Sequence, residues 1–189
     1  IRWDVLRLWS EIQNGLAMAG KKYGGKIVSV GVDTWGVDFV LLNAKDEMLG
    51  HPYHYRDNRT RGALDRAYKK VPRDEIFEQS GNQFVELNSL YQLLAWQERS
   101  PSILDEAHSL LFIPDFMHWC LCGARNAEFT VASTSQFIHP LKRKWSLPLL
   151  HKFGLPTHFL PNIVAPGTEL GPVRSSLAQR SGLSGAKVV

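Results

Sequence analysis

The run from Lys26 to Val32 is apolar and β-branched at Ile27, Val28, Val30 and Val32, and it ends in a cluster that packing alone does not favour. Continuous apolar runs of this kind are strands buried on both faces, as in the middle of an α/β sheet. The chain is therefore predicted to fold around a strand at 26–32, paired on both edges in the full protein. Its end carries Asp33-Thr34-Trp35-Gly36-Val37-Asp38, two carboxylates flanking a large aromatic. Gly36, without a side chain, lets the backbone approach a ligand closely. Extended structure resumes at Phe39-Val40-Leu41-Leu42 and turns at Asn43-Ala44-Lys45-Asp46. Open α/β sheets bind their ligands at the carboxyl ends of strands, which makes Asp33 to Asp38 the first candidate site.

The flanking segments read mostly as helices. Ile1, Val5, Leu8, Ile12, Leu16 and Ala19 fall at helical spacing, so residues 1–20 are expected to cover one face of the sheet. Short helices follow at 61–68, stopped near Pro72, and at 73–79, with Gly81 as the stop. Asn88 is placed to cap a helix through Arg99, and Pro101 follows it. Leu110 to Ile113 reads as a short strand, and Pro114 and Asp115 open a helix ending at Gly123. From Pro140 the chain turns rich in loops, with one more short strand within 167–173 and a strand-like end at 186–189.

Other features exclude function classes. With 44% hydrophobic and 21% charged residues, 189 residues can bury one real core. The net charge of +4 is spread along the chain, and Lys142-Arg143-Lys144 is its one basic run. Without aromatic residues interleaved, that run is a solvated loop and no nucleic-acid surface. Cys120 and Cys122, two apart on a predicted helix, point to different faces and read as free thiols in a reducing cytosol. The seven histidines lack metal-ligand spacing, so no metal site is expected. No run is long enough to span a membrane and no signal peptide is visible, which points to a cytoplasmic protein. A glycosidase would need carboxyls on opposite sides of one bond, whereas Asp33 and Asp38 flank a single turn.

The run VDTWGVDFVLLNAKDEMLGHPYHYRDNRT resembles the FGGY carbohydrate kinases. Ser80-Gly81-Asn82-Gln83-Phe84, Asn88-Ser89-Leu90-Tyr91-Gln92-Leu93, Ile113-Pro114-Asp115-Phe116 and Thr130 to Gln136 follow in the family's order, so the likeness extends from about Lys26 to Val173. It is strongest to the branch that phosphorylates L-rhamnulose; the alternatives are a branch acting on fuculose or xylulose, or a non-catalytic sugar-binding module. It implies a mixed α/β domain of the ribonuclease-H-like, actin-like ATPase type, with flanking helices and incomplete. Residues 1–189 would be most of the amino-terminal domain, without the phosphate loop that precedes it or the catalytic aspartate that follows. The resemblance implies in-line phosphoryl transfer from ATP, with Mg2+, to a ketose. No catalytic residue is expected in these residues, and the chain alone is expected to be inactive. Gly36, Trp35, Asp38, Tyr55 and Asn88 match substrate-facing positions. Each also has a structural reading: a turn for Gly36, core packing for Trp35 and Tyr55, and a cap for Asp38 and Asn88. Tyr55 stands where the family more often has Trp. Asp57 and Arg59 are expected to pair or to cap the next helix.

Overall fold

The computed structural model describes residues 1–189. In chain order its elements are α1 (Val5–Tyr23), β1 (Ser29–Val30), β2 (Phe39–Leu42), α2 (Ala63–Tyr68), α3 (Arg73–Ser80), α4 (Ser89–Arg99) and α5 (Pro101–Glu106). They continue as β3 (Ser109–Phe112), α6 (Ile113–Cys122), β4 (Asn126–Glu128), α7 (Phe129–Ala132), β5 (Ile138–His139), β6 (Lys144–Trp145) and α8 (Leu147–Phe153). The last are β7 (Asn162–Val164), β8 (Gly171–Pro172), α9 (Ser175–Ser181) and β9 (Lys187–Val188). The architecture is mixed α/β, as expected, but built from small sheets.

The antiparallel pair β2–β3 divides the interior. Phe39 lies opposite Phe112 and Leu41 opposite Leu110, and all four enter the main core with Leu90, Tyr91, Leu93 and Phe153. Val40, Leu42 and Leu111 face the other way, onto Val5, Phe116 and Met117. Alternate side chains of a strand point to opposite faces, so this pair is buried on both. Within this chain, the burial on both faces predicted for residues 26–32 is found at β2 and β3.

The strand expected over 26–32 is shorter in this chain, whereas pairing on both its edges was an expectation for the full protein. Gly24–Lys26 forms a 3-10 turn at the end of α1, only Ser29 and Val30 are strand, and Val28 is 73% exposed. β1 pairs with β9 alone, in parallel, and β9 lies between β1 and β8. Ile27, Val30 and Val32 still pack inward, against the cluster of Leu121, Val173, Leu177 and Val188.

α1 also starts later than its hydrophobic spacing suggests. Asp4 accepts the Arg7 N–H at 3.0 Å and caps the helix, which leaves Ile1 outside it and 70% exposed. Val5, Leu8, Ile12 and Leu16 do face the interior. Gly20 permits a close approach of α1 to α9: a Cβ there would lie 1.6 Å from the Ser181 carbonyl oxygen. The helices at Arg73 and Pro114 end as expected, with Gly81 and Gly123 left-handed at φ 64° and 88°. The carboxyl-terminal region holds more structure than its prolines suggest. Pro148 sits in the first turn of α8, where its missing N–H costs nothing, and β7 and α9 are likewise regular. Lys142 and Arg143 lie in the exposed turn joining β5 to β6, and Lys144, also exposed, opens β6. Cys120 and Cys122 are free, and burial pushes the Cys120 thiol up to about 12. No helix is long and apolar enough to cross a membrane.

Candidate functional site

Two parallel strand pairs, β1–β9 and β4–β7, end in one place. Val32 and Asp33 follow β1, Val189 follows β9, Glu128 ends β4 and Val164 ends β7, and all of them line a single two-lobed cleft. One lobe, of about 230 Å³, is bounded by Asp33, Thr34, Gly36, Thr130, Val131 and Thr134. The other, of about 380 Å³, reaches Ala165 to Thr168. His118 and Glu128 stand between the lobes.

The lining is rich in hydroxyls and acceptors. Glu128 accepts from the Thr130 N–H at 2.8 Å, the Val131 N–H at 3.1 Å and the Thr130 hydroxyl, so it caps α7 at the cleft wall. Asp115, on α6, accepts the Glu128 N–H at 3.0 Å with Oδ1 while its Oδ2 has no partner. Burial raises Asp115 to about 7, and lowers His118 below its usual range. Neither lobe is lined by Lys or Arg, and no three His, Cys, Asp or Glu side chains converge as metal ligands do. The residues present therefore do not fit a phosphate or magnesium site on their own.

Gly36 is brought to this cleft, but with a packing reason of its own. A Cβ at Gly36 would lie 2.8 Å from both Oγ1 and Cγ2 of Thr134. The next residue, Val37, is left-handed at φ 65°, which a β-branched residue adopts at a cost. Its N–H donates to Thr134 Oγ1 at 2.9 Å, and its carbonyl accepts from Ser89 Oγ at 2.6 Å.

The other expected residues sit behind the cleft. Asp38 is fully buried and lines neither lobe. Its Oδ2 accepts from Trp3 Nε1 at 2.6 Å, Trp35 Nε1 at 3.0 Å and the Tyr55 N–H at 3.1 Å, and its Oδ1 from Gln92 Nε2 at 2.9 Å. Gln92 Oε1 in turn accepts from Arg59 Nη2, so one amide relays a buried carboxylate to a buried guanidinium. Burial lowers Arg59 to about 10, and its guanidinium lies 3.8 Å above the Tyr53 ring. Asp57 and Arg59 do not pair side chain to side chain; Asp57 caps the 3-10 turn at Asn58–Thr60 through the Arg59 N–H.

Trp35 packs against Trp3 with ring centroids 4.1 Å apart and planes tilted by 32°, and it borders an apolar groove of about 640 Å³ along α1. The Tyr55 ring packs on His54 at 4.4 Å. Asn88 occupies the cap position of α4 but makes no capping bond. Its Nδ2 donates instead to the Gln83 carbonyl at 2.8 Å and to Gln136 Oε1 at 2.9 Å. Sequence reasoning missed His118, Glu128, Thr130 and Thr134 as cleft residues. Only the Thr130–Gln136 motif hinted at them, because strand ends meet there through pairings between distant segments.

The chain matches, over residues 1–189, the amino-terminal domain of the FGGY family of carbohydrate kinases. A rhamnulokinase of Yersinia pestis bv. Antiqua (strain Angola) is 37% identical over 178 residues, 94% of this chain and 36% of that protein. One from Oceanobacillus iheyensis is 33% identical, over 96% of this chain and 38% of its own length. The chain thus spans little more than a third of these curated relatives. Among solved structures, gluconate kinase from Lactobacillus acidophilus superposes on the whole chain and 38% of its own, with a TM-score of 0.91 and 18% identity. Plasmodium falciparum glycerol kinase with ADP covers the whole chain and 39% of its own, at 0.85 and 16%. These structures share the fold, that of a ribonuclease-H-like, actin-like ATPase domain. By family match and by rhamnulokinase relatives above 30% identity, the chain belongs to the FGGY family of carbohydrate kinases.

Proposed function

We propose that this chain is most of the amino-terminal domain of a longer kinase, and that it forms the floor of the sugar site. The reaction is transfer of a phosphoryl group from ATP to L-rhamnulose, giving L-rhamnulose 1-phosphate. One observation carries the choice of a neutral sugar: the cleft presents Asp33, Glu128 and four threonines, and no cation. Carboxylates accept hydroxyl hydrogen bonds readily and repel another carboxylate. A sugar acid is therefore disfavoured, although a gluconate kinase shares the fold. The rhamnulokinase relatives support the particular ketose.

Gly36 and Asp33 face the sugar in this reading. Asp38, Tyr55 and Asn88 hold the floor from behind, and Trp35 closes its inner edge. ATP, Mg2+ and the aspartate base belong to segments beyond these residues. The 189-residue chain alone should show no turnover above a blank. The test is ADP release by the longer polypeptide offered L-rhamnulose, L-fuculose, xylulose, gluconate or glycerol. L-Rhamnulose should give the highest kcat/KM, and a preference for gluconate or glycerol would refute the reading. Sugar binding without ADP release would show instead a binding module.

A further inference from the structure

Asp33, Thr34 and Gly36 line the cleft, yet none of the four main-chain N–H groups from Asp33 to Gly36 donates to another element. The segment hangs between two side-chain acceptors. At one end the Val32 N–H donates to His118 Nε2 at 3.2 Å, and at the other the Val37 N–H donates to Thr134 Oγ1 at 2.9 Å. Both acceptors line the cleft themselves. His118 is 6% exposed, and its Nδ1 has no partner. A ring nitrogen that accepts must be unprotonated, so the neutral ring carries its proton on Nδ1.

The geometry points to His118 as a positioning residue: its neutral ring pins the Val32 end of the cleft segment while Thr134 pins the Val37 end. The sugar lies on the floor so fixed, a step that rests on the proposed kinase reading. Protonation at Nε2 would abolish the bond to Val32. The ionisable groups around the ring are Asp115 one turn earlier on α6, Glu128 at the end of β4 and Asp33 across the cleft, with Cys122 Sγ 3.2 Å from the His118 carbonyl. Burial opposes the charged ring, which keeps the acceptor available near neutral pH.

The anchor is tested in the 189-residue chain by nitrogen-15 shifts of the imidazole and by hydrogen exchange of the Val32 amide. The wild type should show the Nδ1–H form. His118→Phe, which keeps the ring shape without an acceptor, should speed Val32 exchange on the order of tenfold. His118→Gln, which can return an oxygen near the Nε2 position, should restore most of the protection. In the longer polypeptide, H118F should raise the KM for L-rhamnulose on the order of tenfold with kcat nearly unchanged, and H118Q should reverse it. Val32 exchange unaffected in H118F, an H118Q as impaired as H118F, or a wild-type ring protonated on Nε2 would each overturn the proposal. Should H118F not fold, the wild-type tautomer decides. A wild type that folds with this anchor but phosphorylates no sugar would refute the kinase reading and leave the anchor standing.

Discussion

Replacing Gly36 with alanine separates packing from ligand access at the same atom. The new Cβ would meet Thr134 Oγ1 and Cγ2 at 2.8 Å, closer than real side chains approach. Thr134 cannot swing away freely, because its hydroxyl holds the Val37 N–H and donates to the Val131 carbonyl at 2.7 Å. Overpacking of this kind costs about 1–3 kcal/mol. For a domain of this size, each kcal/mol lowers Tm by roughly 2–4 °C. Thr134→Ala should cost about 1–2 kcal/mol through the lost hydrogen bonds. The double variant should be more stable than the sum of the two losses by about 1 kcal/mol, since the two closest atoms are gone and only the Cβ of residue 134, at 3.0 Å, still crowds the new methyl. Urea denaturation of the four proteins gives this coupling. Strict additivity would refute the contact. In the longer polypeptide the same cycle tests the sugar: if the Cβ also fills the sugar lobe, the double variant keeps a lower kcat/KM than Thr134→Ala alone.

Two further outcomes follow from the buried groups. Asp115 titrates near 7 in the folded chain against an ordinary 3.8, so the folded state holds its proton longer. Its contribution is full below about pH 4 and is lost as pH rises toward 7, by roughly 4 kcal/mol at most. The stability difference between wild type and Asp115→Asn should therefore change across that window, and a constant difference would contradict it. Asp38→Asn must turn an NH2 toward either the Gln92 amide or the three donors at Oδ2. It should cost about 3 kcal/mol by chemical denaturation, and a loss below about 0.5 kcal/mol would count against the network.

Local signals were legible in the sequence where a single residue decides the backbone. Gly81 and Gly123 ended their helices as glycine stops should, and Asn43 ordered the turn before Glu47 through its side chain. The Asp33–Asp38 cluster did mark the cleft. What failed depended on distant partners. Ile27 to Val32 resembles a buried strand in composition, yet its burial is set by β9, more than 150 residues away in sequence. The buried network at Asp38 was equally invisible, because nothing local reveals that Trp3, Tyr55 and Gln92 converge on it. His118 gave no signal, since a histidine in an apolar helix reads as an ordinary core residue until the end of β1 is seen against it.

The most direct measurement of the sugar site uses Asp33→Ala in the longer polypeptide. Asp33 is exposed, borders both lobes and makes no hydrogen bond or ion pair within the chain, so its loss should leave Tm within about 1 °C. The expected result is a fall in kcat/KM for L-rhamnulose on the order of tenfold or more, with the KM for ATP little changed. Unchanged sugar kinetics in the folded variant would place the sugar somewhere other than this cleft.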